Sequence, residues 1–191
     1  MTNNKNLFDF SAFPILKTKR LTLRQLESTD AVDMLAFSGD PMVQRFNGPV
    51  YETTAEVQKL IDWYHGEYAQ QDGISWAVTF TGENKVIGMF GLHHWSRRHR
   101  RAEAGYDLAR AYWGQGIASE ALRTVLAFGF EQMNLHRIYA NTIADNHESV
   151  RLLERLGFTR EGTKRESSWE DDDTFHDSAL YGLLRWEYMD A

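Results

Sequence analysis

Two glycines one residue apart open the stretch best suited to chemistry, Trp113-Gly114-Gln115-Gly116-Ile117-Ala118-Ser119-Glu120-Ala121-Leu122. It joins a strand-like segment to an amphipathic helix. Glycine accepts positive φ and carries no side chain to hold a ligand away from the backbone. The unpaired amides at the start of the helix, reinforced by its dipole, then offer a site for phosphate oxygens. The run predicts a phosphate-bearing cofactor at this turn. Two common phosphate-binding patterns do not fit. A dinucleotide fingerprint needs a third glycine where Ser119 stands, and a ribose-binding carboxylate about 20 residues further on, where Asn134, Leu135 and His136 stand. A phosphate-loop NTPase needs Gly-Lys-Ser/Thr, which the chain lacks.

Other residues narrow the chemistry. With no cysteine there is no disulfide, no thiol nucleophile and no Cys-type zinc site. His93 and His94 are adjacent in a strand, so they face opposite ways and share no metal site. The remaining histidines lack ligand spacing, and no metal is expected. No Ser/His/Asp arrangement points to a covalent nucleophile. A net charge of −6 argues against general nucleic-acid binding. Arg97-Arg98-His99-Arg100-Arg101 reads as a solvated hairpin turn that blunts an edge, with ribosomal RNA or an acidic partner as the alternative. The run Glu170-Asp171-Asp172-Asp173 reads as solvent-facing, or as an attractor for a cationic amine.

These groups must be positioned by the elements around them. At 191 residues, 42% apolar and 25% charged, the chain fits one globular domain. Met1 to Asn6 lacks the apolar core of a signal peptide. No apolar run approaches the roughly 20 residues that cross a bilayer, so a cytoplasmic location is the expectation. Residues 1–18 read as a lead-in pinned by Phe8, Phe10 and Phe13, and residues 19–191 as the folded domain. Alternation marks a strand at Arg20–Arg24, and Ser28 or Asp30 caps a helix carrying Ala31, Met34, Leu35 and Phe37. A longer helix spans Thr54–Gln70, with Val57, Leu60, Ile61 and Tyr64 on one face. Strands follow at Ser75–Phe80, Lys85–Trp95 and Ala102–Leu108. The central helix runs Gly116–Met133, then come a strand at Arg137–Thr142 and a helix at Asn146–Leu156 stopped by Gly157. Two last strands lie at Phe158–Ser168 and Phe175–Tyr188. The order βααβββαβαββ predicts a single α/β (α+β) domain with a mixed, mostly antiparallel sheet flanked by helices. Trp63, Tyr64, Trp76 and Trp95 read as core.

The order of elements, the glycine turn and the segment Asn146-His147-Glu148-Ser149-Val150-Arg151-Leu152-Leu153-Glu154-Arg155-Leu156-Gly157-Phe158 together resemble the GNAT acetyltransferases. Within them the chain is similar to the RimJ/RimL branch, which acetylates protein N-termini. The resemblance covers roughly residues 19 to 188. The family's turn begins with Gln or Arg where this chain has Trp113, so one polar contact is absent. What the resemblance implies is acetyl-CoA as cosubstrate. Its pyrophosphate would lie on the amides of Gln115, Gly116, Ile117 and Ala118, with Trp113 and Gly114 alongside. Tyr106, Asp107 and Leu108 on the preceding strand, with Asn141, Asn146 and Ser149, would complete the binding set. In the family that strand carries a bulge exposing an amide to the thioester carbonyl, and Gly105 would ease one.

An α-amine has a pKa near 8, so a carboxylate acting through one water suffices as base. The resemblance assigns this to Glu103, the bland alternative being a surface ion pair with Arg100 or Arg101. Glu166, Glu170 and Asp171 are weaker candidates. Many members carry a Tyr acid where Leu153 stands, so that mechanism does not carry over. Ser149 is the candidate replacement, since its counterpart serves in the RimL-like branch. The reading is direct acetyl transfer to an amine, foremost the N-terminal α-amine of a protein or peptide, with no covalent acyl-enzyme. Two rivals stay open: a small amine such as an amino acid, polyamine or aminoglycoside as acceptor, or a non-catalytic acyl-CoA-binding module. The acceptor pocket is expected from residues 31–70 and the last hairpin. A homodimer is left open.

Overall fold

The computed structural model describes residues 8–170 and 173–189, so the N-terminal Met1–Asn6 reading and the Asp171 and Asp172 positions lie outside the described residues. Eight strands form one sheet in the order β1-β2-β3-β4-β5-β6-β8-β7. They are β1 Leu16–Lys17, β2 Leu21–Arg24, β3 Ile74–Phe80, β4 Gly88–Ser96, β5 Arg101–Leu108, β6 Arg137–Ile143, β7 Thr159–Trp169 and β8 Phe175–Leu184. Every pairing is antiparallel except β5 with β6. The fold class is as the sequence predicts, with three local differences. Leu16–Lys17 of the lead-in pairs with β2. A short helix α2, Pro41–Gln44, stands between α1 (Ala31–Ser38) and α3 (Thr54–Ala69). The last strand stops at Leu184 and the chain turns into α6, Arg185–Met189. Glu187 explains that stop: its carboxylate accepts from the Leu184 amide at 2.8 Å and satisfies a group the ladder would otherwise use.

Helix starts follow side-chain caps. Thr53 and Glu56 form a reciprocal capping box on α3, and Asp40 accepts from the Met42 amide to start α2. Asn146 caps α5, His147–Arg155, by accepting from the Ser149 amide at 3.2 Å. Gly157, at φ +85°, ends that helix in the left-handed region.

Alternation along the central strands divides the core in two. Trp76, Val78, Phe90 and Leu92 point into a large cluster with α4, Ile117–Glu131, through Ala121, Leu122, Val125 and Phe130. Ala77 and Met89 point the other way, against Met34 and Phe37 of α1 and Val57 and Ile61 of α3. The sheet is thus covered on both faces. Phe8, Phe10 and Phe13 pack on the first cluster, Phe10 stacking on Trp95 and Phe13 edge-on to Trp76. Trp76 and Trp95 are core, as expected, whereas Trp63 is exposed.

Helix α4 approaches the sheet at Gly129. A Cβ there would lie 2.8 Å from Leu92 Cδ1 and 2.9 Å from Ile138 Cδ1. Alanine is accommodated by small shifts of those methyl ends. Gly129→Val overpacks the layer and is expected to destabilise the fold by about 1–3 kcal/mol, read as a lowered midpoint in thermal unfolding followed by circular dichroism.

Candidate active site

The site begins where the sheet comes apart. Parallel β5 and β6 pair only from Arg101↔Arg137 to Glu103↔Tyr139. Beyond that point β5 stays registered with β4 as far as Leu108, while β6 stays with β8. The β6-facing edge of Ala104–Leu108 therefore has no ladder partner, and its backbone groups are available to a ligand. The bulge expected at Gly105 is absent. The β4–β5 register is regular there, and the irregularity lies between His93 and Ser96.

On one side of this gap runs a groove of about 500 Å³ that ends at the head of α4. Gly114 and Gly116 sit at φ +72° and +74°, and Gly116 is the α4 cap, with no side chain bonded to the first-turn amides. Both glycines are required by backbone conformation. A Cβ on Gly114 would meet nothing within 4 Å, so the space above the turn is open. Gly116, Ile117, Ala118 and Ser119 line the groove together with Leu108, Trp113 and Asn146. Arg45, His147, Arg151 and Arg155 bring cationic or polar groups to the same wall, none of which the sequence reading singled out. The turn is held from behind. Arg20 donates to the Gln115 carbonyl at 3.1 Å and to Glu120 at 2.6 Å, while Glu120 also accepts from Thr18. Burial works to raise the Glu120 carboxyl, yet the bonds from Thr18 and Arg20 outweigh it and hold it below the ordinary value.

On the other side lies a cavity of about 260 Å³ lined by Phe46, Asn47, Tyr64, Ser75, His93 and Asn141, among others. Groove and cavity share Phe46, Asn47, Tyr106 and Asp107, so the two spaces meet at the end of β5. At this junction the Tyr106 hydroxyl and Ser149 Oγ are 2.7 Å apart. Burial pushes the Tyr106 phenol up to about 12, with the Ser149 bond opposing. The pair therefore stays protonated at neutral pH and keeps a proton to give. Burial likewise raises the Asp107 carboxyl, against a 2.5 Å hydrogen bond from Asn47 Nδ2. Ser75 Oγ is buried with no hydrogen-bond partner among the described residues, an arrangement that typically costs about 1–3 kcal/mol. Such a group marks a place where a ligand would be welcome.

Of the expected residues, Tyr106, Asp107, Leu108, Trp113, Gly114, Gly116, Ile117, Ala118, Asn146 and Ser149 line the groove. Two do not. Gln115 is not among the lining residues, and its side chain donates to the Ala111 carbonyl, which leaves its main-chain amide as the group the expectation concerns. Asn141 lines the cavity instead of the groove, where its Nδ2 donates to Glu103 Oε1 at 2.6 Å. Glu103 is not paired with Arg100 or Arg101; its other oxygen lies 3.9 Å from His94. It stands one hydrogen bond back from the cavity. The indole of Trp113 donates to the Leu108 carbonyl at 2.7 Å, which closes off the end of β5. Leu153 is fully buried in the core and offers no acid. Of the expected acceptor segments, residues 31–70 contribute Phe46, Asn47 and Tyr64, most of the wall comes from β3, β4 and β5, and the β7–β8 hairpin does not line it. Glu166 and Glu170 are engaged within that hairpin, by Asp177 through the Glu166 amide and by Ser168. Among the described residues no cluster of His, Asp or Glu could hold a metal, and no helix is long and apolar enough to cross a membrane.

Because folding raises the Asp107 pKa, the native state binds that proton more tightly than the unfolded chain. The charged carboxylate then opposes folding in full above its native pKa, and the opposition fades as pH falls from that value and is gone below the unfolded one. Asp107→Asn keeps an acceptor for Asn47 and is expected to raise the unfolding midpoint at about pH 8, with the gain shrinking toward about pH 4. Calorimetry of both proteins across that range checks the sign.

Comparison with known proteins fits this geometry. The family model described as an acetyltransferase (GNAT) domain matches residues 20–159. The chain is 34% identical over 174 residues to the uncharacterized N-acetyltransferase YoaA of Bacillus subtilis, covering 91% of this chain and 98% of that one. It is 32% identical to the "Putative ribosomal N-acetyltransferase YdaF" of the same organism, over 89% of this chain and 94% of that one. Among solved structures, the spermidine N-acetyltransferase of Vibrio cholerae in complex with CoA and spermine superposes with a TM-score of 0.80 at 25% identity, covering 90% of this chain and 99% of that one. The fold alone is shared with RimL in complex with coenzyme A, at a TM-score of 0.81 and 19% identity over 90% and 98% of the two chains. A sheet opened between its only parallel strands, a positive-φ turn at the head of α4 and these relatives lead to one statement: the chain belongs to the GNAT N-acetyltransferases, enzymes that take their acetyl group from acetyl-CoA.

Proposed function

We propose that the enzyme acetylates the N-terminal α-amine of a peptide or protein by direct transfer in a ternary complex. The observation that carries this reading is the meeting of groove and cavity at Tyr106 and Asp107. A thioester lying along the groove and an amine entering from the cavity would face each other there, with no residue needed to carry the acyl group between them. Acetyl-CoA supplies the activated carbonyl. The α4 amides from Ile117 to Ser119 suit its diphosphate, and the unpaired edge of β5 suits the amide-bearing arm. The Ser149 and Tyr106 hydroxyls are placed to give a proton to the departing sulfur. Glu103 holds Asn141 in the cavity wall and acts on the acceptor side through it.

The rim supports a polypeptide acceptor. His176 of β8 lies edge-on to Phe46 at 6.3 Å, and next to it Trp169 and Phe175 form an exposed aromatic pair. Exposed aromatic area beside a small cavity is more use to a chain than to a small amine, and the name of YdaF points the same way. One observation favours a polyamine instead: Asp107 puts a carboxylate in the cavity, and relatives include a spermidine N(1)-acetyltransferase of Vibrio cholerae at 30% identity.

Measuring CoA release with free and N-blocked peptides and with spermidine decides the acceptor. Peptides with a free α-amine are expected to give the highest kcat/KM. A tenfold preference for spermidine would overturn the peptide reading, and binding of CoA without turnover of any amine would point to a binding module. Gly116→Asp adds a Cβ at positive φ and a negative charge where the diphosphate would lie. It is expected to raise the Kd for acetyl-CoA more than about tenfold, or about 1.4 kcal/mol, in titration calorimetry. Tyr106→Phe is expected to leave that affinity in place and lower kcat by about tenfold or more in stopped-time CoA assays.

A further inference from the structure

Behind the cavity three glycines clear room for a single side-chain pair. A Cβ on Gly73 would fall 2.7 Å from Glu67 Cδ; one on Gly91 would fall 2.6 Å from Ser75 Oγ and 2.8 Å from His93 Nε2. A Cβ on Gly105 would fall 3.2 Å from His93 Nε2. Gly91 and Gly105 face each other across β4 and β5. The imidazole of His93 thus lies on a floor without side chains, directed along the sheet toward the Asp107 end. Its Nδ1 is 2.8 Å from Glu67 Oε2, and Glu67 is buried. Glu67 occupies the last turn of α3, where the helix dipole disfavours a carboxylate. Nothing in the packing calls for a charge there, so its use is to be sought in the histidine.

A carboxylate only accepts, so Nδ1 donates to it, and in the neutral ring Nε2 is then the nitrogen that carries the lone pair. That lone pair shares the cavity with the unpartnered Ser75 Oγ, since both atoms flank Gly91. We infer that His93, oriented by Glu67, is the proton acceptor for the incoming amine, with Ser75 as a second hydrogen-bond partner for that amine or for a water beside it. The ammonium gives one proton to Nε2, which passes it to solvent. The freed nitrogen lone pair forms the C–N bond, and the C–S bond breaks. The sulfur takes its proton from the Tyr106–Ser149 pair, which recovers one from the second N–H. The products are an amide, a thiol and one proton in solution. The other titratable groups around this histidine are Tyr64 from α3, Asp107 and, across the ladder, Glu103 from β5, with Tyr106 at the cavity's edge on the opposite face of the strand. Asn47 and Ser75 do not titrate, and His94 points out to solvent.

The inference rests on acetyl transfer to an amine and not on which amine, so it is tested with the acceptor of the panel that turns over fastest. A preference for spermidine there would change the acceptor and leave this outcome untouched. His93→Gln is expected to lower kcat/KM about 100-fold near pH 7, with acetyl-CoA affinity unchanged. The loss should shrink above about pH 9, where the amine is neutral unaided. Glu67→Gln is expected to lower it about tenfold and to displace the acidic limb of the pH profile, while Glu103→Gln leaves the limb in place. Nitrogen NMR of the labelled protein is expected to find the His93 proton on Nδ1. An unchanged acidic limb in His93→Gln, or in Glu67→Gln should the first variant not fold, would overturn the inference. So would loss of the limb in Glu103→Gln, or a proton resident on Nε2.

Discussion

The pairing between β5 and β6 stops after three residues, and everything functional in the molecule depends on that stop. A sheet strand normally satisfies both edges of its backbone, and an interior strand left with one edge unpaired carries orphaned donors and acceptors. Here the divergence follows from two commitments that pull apart. From Ala104 onward β5 continues along β4, and from Ala140 onward β6 continues along β8. Each strand keeps one full ladder, so the fold survives, and the opened edge becomes the place where a ligand's amide groups can complete the sheet. The turn at Gly114–Gly116 lies at the mouth of that opening because β5 leads into α4 through it. Sheet topology, and not the turn alone, therefore puts the free amides of α4 in line with the open strand.

An opening of this kind must be held wide by something other than hydrogen bonds across it. The Arg20, Thr18 and Glu120 cluster ties the α4 head to the start of β2. Asn47 ties the segment after α2 to Asp107, and Trp113 caps the Leu108 carbonyl. These bonds tie exposed groups, Arg20, Asn47 and Trp113, to partly buried or buried ones, Glu120, Asp107 and Leu108, an arrangement that favours geometry over stability. Raised pKa values at Tyr106 and Asp107 are the sign of the same compromise. Burial penalises their charged forms, and what is gained is a junction of lowered dielectric where hydrogen bonds and dipoles act at greater strength.

Much of this arrangement was legible from residue order. The amphipathic stripe of α4, the glycine turn and the capped α5 are local patterns with short periods, and their residues mostly line the groove where the sequence reading has them. What escaped it depends on contacts between distant segments. Arg20 clamps a turn almost a hundred residues away, and no local signal announces that. Asn141 faces the cavity and not the groove because β6 diverges from β5, which spacing alone does not reveal. The bulge expected at Gly105 was drawn from resemblance, whereas the glycine there leaves room for His93. Glycine spacing did carry a faint signal. Gly91 and Gly105 sit in the middle of strands, where a glycine marks a close approach by some other group. The end of β8 was misread because Trp186 and Tyr188 continue a strand-like composition, while Glu187 settles the matter through one backbone amide.

The chemistry sorts onto two sides of the junction for a physical reason. Acyl transfer to an ammonium must remove two protons from nitrogen and return one to sulfur, so the proton lost to solvent and the proton passed to sulfur call for different groups. On the groove side stand hydroxyls that burial keeps protonated, Tyr106 with Ser149. On the cavity side stands an imidazole whose inner nitrogen is held by a carboxylate, so that its outer nitrogen is the one turned to the amine. Separation of such groups across a reaction site is how one pocket performs acid and base steps at one pH. The sheet makes the separation rigid, since Tyr106 points to the α4 face and His93 to the α3 face, as the alternation of β5 and β4 requires. A one-residue slip of β5 would bring Tyr106 to the amine side and abolish the division, and the Gly88–Leu108 to His93–Glu103 ladder is what prevents it.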